Sequence, residues 1–453
     1  MKNSLRQTLI LLTILLSLVG ISHARELTFW NFWDPKLIGP VVERFEKENP
    51  GVKIISEQIP WGNGFDKIVV ALANGRAPDI CELGSTWMGR FINEKAVLEL
   101  TFELQDLKND YLMWEPVTDQ GKIYGMPWLV GTRVLFYNRR LFNEAGLNPD
   151  QPPQTWAELL SAAQKIHQPS KGRYGFGMNA GEAHILYKKF MPLVWANGGR
   201  IIADDGSWAF DSPETRQALD FYLQLKNHSY CEKQDLLDEA FKKGTLGMMV
   251  SGAWNFASFP KDAPDLDFSV ALMPCPDTNK GIQASFLGGQ VLVLLKNCRD
   301  PELAERFIRF LVRAENSLPI SREALVNFPA ARSSYTDSLF TSDPRLQVFV
   351  EQMKTAVHPP VHRHWMEIEK ILNQGIEKAM YGQNIDMVLA ETSRAFKKLD
   401  EHRTEPVKQA DASNPPLADG SWQTILLVLI ALGTLLNAIL LTFLLVEVKK
   451  NAA

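Results

Sequence analysis

Short apolar segments alternate with amphipathic helical segments along the body of the chain, and this alternation restricts the fold more than any other feature. Leu27-Thr28-Phe29-Trp30 has the make-up of a strand. The residues after it place Ile38, Val41, Val42 and Phe45 on one helical face. Asn49-Pro50-Gly51 stops that helix and leads into a second strand, Val52 to Ile55. Asp66 to Asn74 reads as a helix closed by Gly75, and Ala77 to Cys81 opens a third strand. Later helices announce their starts: Thr155 with Glu158 is a capping box, and Ser212-Pro213 and Asp300-Pro301 pair an N-cap with a first-turn proline. Leu303, Phe307, Phe310 and Leu311 then form an apolar stripe. The expected class is α/β, with largely parallel sheet under helices and ligands bound beyond the carboxyl ends of the strands.

Roughly 400 residues between the two ends exceed what one core supports, so two lobes are expected. A net charge of -4 argues against a nucleic-acid partner. Four scattered cysteines contain no CxxC pair, and Cys81 and Cys298 read as buried thiols. Lys2 and Arg6, an apolar run from Leu9 to Val19 and the small-residue exit Ser22-His23-Ala24 describe a signal peptide over 1–24. With no cysteine before Cys81, no lipobox serves. At the other end, 404–421 is a polar stalk and 424–446 is apolar all round, as a membrane-spanning helix requires. Lys449 and Lys450 place a tail, 447–453, in the cytoplasm and the body outside.

The order FWNFW, ERFEKENPGVKI, LANGRAPDI, GKIYGMPW, LFYNRRLFNEAGL, PPQTWAEL, FKKGTLGMMVSGAW and FLGGQVLVLLKNCRDPELAERFIRFL resembles the family 1 extracellular solute-binding proteins, including the maltose and multiple-sugar binders of ABC importers. The resemblance covers about residues 26 to 400. It implies a two-lobed periplasmic-binding-protein fold with three hinge crossovers, near Leu129 to Arg133, Phe286 to Gln290 and Asn327 to Arg332. Lobe 1 would be 25–130 with 287–328, and lobe 2 would be 131–286 with 329–403. It also implies a monomer that binds a small molecule, needs no cofactor or metal, catalyses nothing, and hands a sugar to permease subunits.

All tryptophans but Trp422 lie in the body. Sugar rings call for flat aromatic platforms beside directional polar groups. Trp33, Trp61, Trp87, Trp254 and Trp365 fall at loops that the family turns toward its cleft, Gly289 belongs to the second crossover, and Trp128, just before the first, is a further candidate. Polar candidates are Asn31, Asp34, Glu82, Ser85 and Thr86 from one lobe, and Asn179 and Glu182 from the other. At Ser85-Thr86 the chain departs from the maltose-binding pattern, which has charged ligand contacts there. His358, His362 and His364 have metal-like spacing, but the Pro359-Pro360 pair disrupts a regular helix, and a solvated or cleft-lining loop is the expectation.

Other readings compete. A secreted glycoside hydrolase needs two carboxylates across the scissile bond, for which Glu82 and Glu182 are the available pair. The same fold could take a polyamine, ferric ion or phosphorylated polyol; no Tyr-Tyr pair supports iron, and Arg90 and Arg133 are the nearest arginines for a phosphate. A sensory role is the third.

Overall fold

The computed structural model describes residues 25–101, 107–182, 184–279 and 281–401. The expected signal peptide, stalk, membrane span and tail lie outside these residues. Among the described residues no helix is long and apolar enough to cross a membrane. Residues up to Leu399 form one unit; Asp400 onward form a second, of which only the end of the last helix is described.

Two sheets organise the first unit. One runs in the order Phe328–Pro329, Met126–Gly131, Gly288–Leu294, Ile80–Gly84, Arg25–Asn31, Val52–Gln58. The other runs Phe268–Ala271, Val134–Asn138, Leu246–Ser251, Tyr174–Asn179, Ser229–Glu232. Both are mixed, which corrects the expectation of largely parallel sheets. Arg25–Asn31 pairs in parallel with both its neighbours, whereas Gly288–Leu294 pairs antiparallel with Ile80–Gly84 and Met126–Gly131. Val134–Asn138 is antiparallel to both its partners. The antiparallel strands are those next to a sheet-to-sheet passage, where the chain arrives without a crossover helix to restore its direction.

Local sequence explains the helices well. Ile38, Val41, Val42 and Phe45 are the buried face of Pro35–Glu48, whose N-cap Asp34 accepts from the Lys36 amide. The Thr155–Glu158 capping box is complete, and Ser212 and Asp300 cap their helices as expected. The helix expected from Asp66 starts earlier, at Trp61, and runs to Ala73, with Gly75 closing it in a left-handed conformation.

Three passages join the sheets: between Met126–Gly131 and Val134–Asn138, between Ser285–Phe286 and Gly288–Leu294, and after Phe328–Pro329. One core packs around each sheet. A third runs from Cys81 and Val291 through Val130, Val134 and Phe136 to Phe349, so the passages are themselves embedded in apolar packing. All four cysteines are free thiols; Cys81 is buried, and Cys298 is only partly so.

Candidate ligand cleft

The strand Ile80–Gly84 ends at the passages and turns through Ser85–Trp87 into the helix Met88–Asn93. Trp87 is buried there and stacks on Trp61, with ring centroids 4.9 Å apart and planes 24° apart. Phe32 meets both indoles edge-on. Gly84 permits this arrangement, since a Cβ there would stand 3.1 Å from the Trp61 ring and 3.2 Å from that of Trp87. Trp61 remains 48% exposed and offers a flat shelf along a cleft of about 90 Å³. Thr86, Gly289, Gln290 and Asn327 line the same space.

Ser85 Oγ accepts the Gly289 amide at 3.2 Å and meets His358 Nε2 at 3.0 Å. His358 Nδ1 lies 2.6 Å from the Pro359 carbonyl, which only a donor satisfies, so Nε2 is the acceptor for the Ser85 hydroxyl. Burial lowers the His358 pKa to about 4, in keeping with this neutral tautomer. The three histidines therefore do not converge. The His362 ring packs near His364 and Trp208, and among the described residues no cluster of three or more His, Cys, Asp or Glu side chains is arranged for a metal.

Arg133, Lys188 and Phe286 line the same cleft as Trp61. The Arg133 guanidinium lies 4.7 Å over the Trp254 ring. Trp254 Nε1 donates to Asp238 at 3.1 Å, and Asp238 also accepts from Gln234 and Asn255, so neutral donors already occupy this carboxylate. The Lys188 ammonium sits 5.5 Å from the Phe286 ring and 5.7 Å from that of Tyr187. Desolvation lowers Arg133 to about 10 and Lys188 to about 8; for Lys188, Glu369 opposes the shift and Arg133 adds to it. Asn327 Nδ2 donates to Gln290 Oε1 at 2.7 Å and ties two passages together.

Of the residues singled out from sequence, Trp61, Ser85, Thr86 and Gly289 line the cleft, and Trp87 and Trp254 stand directly behind it. The others have different work. Trp128 is wholly buried on a strand with no exposed residue. Trp365 is 2% exposed and donates to Glu369, which also holds His184. Asn31 is buried and shapes the turn at the Trp33 amide while bonding Ser56. Glu82 is fully buried, accepting from the Phe32 amide at 2.8 Å and Trp33 Nε1 at 3.2 Å; burial raises it to about 8 despite those bonds. Asp34 is a cap. Glu182 accepts from Asn179 and the Gln234 amide, bracing the segment behind Trp254.

Sequence reading missed Lys188 altogether, because YKKF on a helix carries no sign of which lysine turns toward a cleft. The structure separates them: Lys188 reaches the cleft, while Lys189 is buried against Gln234. Burial lowers Lys189 to about 7.

The family model for the bacterial extracellular solute-binding protein matches residues 34–317. This chain belongs to that family. A putative binding protein of Brucella abortus (strain 2308) is 25% identical over 362 residues, which is 76% of this chain and 84% of that protein. The sn-glycerol-3-phosphate-binding periplasmic protein of Escherichia coli (strain K12) is 24% identical over 344 residues, covering 68% of this chain and 77% of that protein. Among solved structures, an ABC transporter solute-binding protein of Thermotoga lettingae bound with α-D-tagatose is 27% identical, with a TM-score of 0.71 over 83% of this chain and 99% of the other. The sugar-binding protein MalE of Xanthomonas citri shares the fold, with a TM-score of 0.74 over 84% of this chain and 100% of the other at 23% identity. This solute-binding protein therefore has the two-lobed α/β fold of an extracytoplasmic ABC-importer receptor.

Proposed function

We propose that this solute-binding protein captures a sugar or polyol between lobe 1 (25–130 with 287–328) and lobe 2 (131–286 with 329–403) and delivers it to an ABC permease. The observation that carries this reading is the indole shelf of Trp61 in one cleft with Arg133 and Lys188, an aromatic surface with a few polar groups. The tagatose and glycerol-phosphate relatives are binders of small hydroxylated solutes, which supports the same class. The hydrolase reading loses its pair of acids, because both Glu82 oxygens are engaged inside lobe 1. The apolar run 424–446 would tether the receptor and raise its effective concentration near the permease.

A thermal-shift panel of sugars, polyols, polyol phosphates and polyamines tests the proposal, since a ligand that binds only the folded state raises Tm. A sugar or polyol, phosphorylated or not, should raise it, and mixing it with the protein should leave it uncleaved. Stabilisation by polyamines alone would overturn the ligand class.

A further inference from the structure

Arg133 and Lys188 come from different parts of the chain, a sheet-to-sheet passage and the helix Leu186–Ala196, yet both line one cleft. Both are half-buried, and among the described residues neither forms an ion pair and no carboxylate lines the cleft. The nearest acids are already committed: Glu369 holds His184 and Trp365, and Asp238 holds Trp254, Gln234 and Asn255. Each cation instead rests over aromatic rings, which hold it in place without neutralising it. The two are close enough for Arg133 to disfavour the charge on Lys188. Removing two like charges from water with no ion-paired partner is costly, even with Glu369 nearby, and a bound anion would offset that cost.

A neutral sugar is poorly matched to this cleft. Each hydroxyl donates as well as accepts, so such a site needs acceptors. Here the Ser85 hydroxyl proton goes to His358, and Gln290 Oε1 already accepts from Asn327. Two of the acceptors that line the cleft are thus already engaged, while the two cations beside them only donate.

Building on the receptor reading above, we infer that the ligand carries a phosphate or carboxylate group and that Arg133 and Lys188 bind it. The polyol or sugar part then lies against Trp61.

The test is calorimetric titration of the purified full chain in detergent with matched probes: glycerol against glycerol 3-phosphate, and glucose against glucose 6-phosphate and glucuronate. At least one charged probe should bind ten-fold or more tightly than its neutral partner, and its affinity should fall between 50 and 500 mM NaCl. The phosphate and carboxylate arms show which anion is preferred. Lys188→Met and Arg133→Gln should each remove most of that preference, while Lys188→Arg keeps it; the Tm of each variant checks its folding. Neutral probes binding as tightly as their charged partners would overturn the inference and leave the receptor reading intact. So would a well-folded Lys188→Met variant that keeps the anion preference. If no probe of either kind binds, the sugar-or-polyol reading itself falls, and this inference with it.

Discussion

The guanidinium of Arg133 rests 4.7 Å over the ring of Trp254, whose indole N–H is anchored on Asp238 at 3.1 Å. Trp254 therefore presents one face to a cation rather than to a sugar ring, and it acts on the ligand through Arg133. Trp254→Ala should weaken ligand binding by about 1–2 kcal/mol, roughly ten-fold, by freeing Arg133. Trp254→Phe keeps a ring beneath the guanidinium and should lose less. Equal losses in the two variants, measured by titration with the same ligand, would show that the ring's support of Arg133 is irrelevant.

Glu82 makes the stability of the first lobe depend on pH. Its carboxyl ordinarily titrates near 4.5, and burial raises it to about 8 in the fold. Between those values the folded chain holds a proton that the unfolded chain has released, so stability falls as pH rises. Below about 4.5 both states are protonated and the contribution is complete; above about 8 it is gone. His358 contributes the opposite slope between about 4 and its ordinary 6.5, so the comparison must be with a variant rather than across pH alone. Glu82→Gln removes the titration but sets an amide N–H against one of two donors, at a cost of about 1 kcal/mol. The gap in Tm between wild type and variant should therefore shrink from pH 5.5 to pH 8.5. A constant gap would mean Glu82 is ionised throughout.

The same residue shows where sequence reading succeeds and where it stops. The caps at Thr155, Ser212 and Asp300 were legible because each depends on neighbours three residues away or fewer, whereas Asp34, expected among the ligand contacts, is a cap of the same local kind. The family and its two-lobed fold were legible because many weak motifs kept their order. The destination of a tryptophan or glutamate was not. Glu82, Trp128 and Trp365 are buried by segments far away in sequence, with Leu292 paired beside Glu82 and Tyr187 packed on Trp365. Placement at loops that the family turns toward its cleft gave Trp61 and Trp33 the same expectation. Yet one is a half-exposed shelf, and the other is 8% exposed with its indole bonded to Glu82.

Asp79 should govern acid unfolding of the first sheet. One of its oxygens accepts the Thr28 amide and hydroxyl, and the Arg299 amide and side chain complete the set, joining strand Arg25–Asn31 to the segment after Gly288–Leu294. Burial alone would raise the carboxyl, but these bonds outweigh it and hold it at about 2 against an ordinary 3.8. A depressed acid stabilises the fold above its unfolded pKa, so this contribution is lost as pH falls from about 3.8 to about 2. Asp79→Ala should cost about 3 kcal/mol at pH 7 and much less at pH 2, as read by denaturant unfolding. A cost independent of pH would assign the effect to packing rather than to charge.

Gly89 lies against the backbone of His362. It lies in the helix Met88–Asn93, and a Cβ there would stand 2.6 Å from the carbonyl oxygen of His362, in the loop leading to the helix Trp365–Met380; with the lobe bounds proposed above, the two belong to different lobes. Backbone cannot yield as a flexible side chain can, so Gly89→Ala must push the lobes apart at this edge. In a receptor whose ligand stabilises the closed form, disfavouring that form lowers apparent affinity by the fraction of closed protein lost. Gly89→Ala should therefore weaken binding about ten-fold or more. The ligand-free fold should hold its Tm or gain slightly, because alanine suits a helix better than glycine. Small-angle scattering should show the ligand-saturated variant with a larger radius of gyration than saturated wild type. Wild-type affinity and an unchanged radius would exclude this contact from closure.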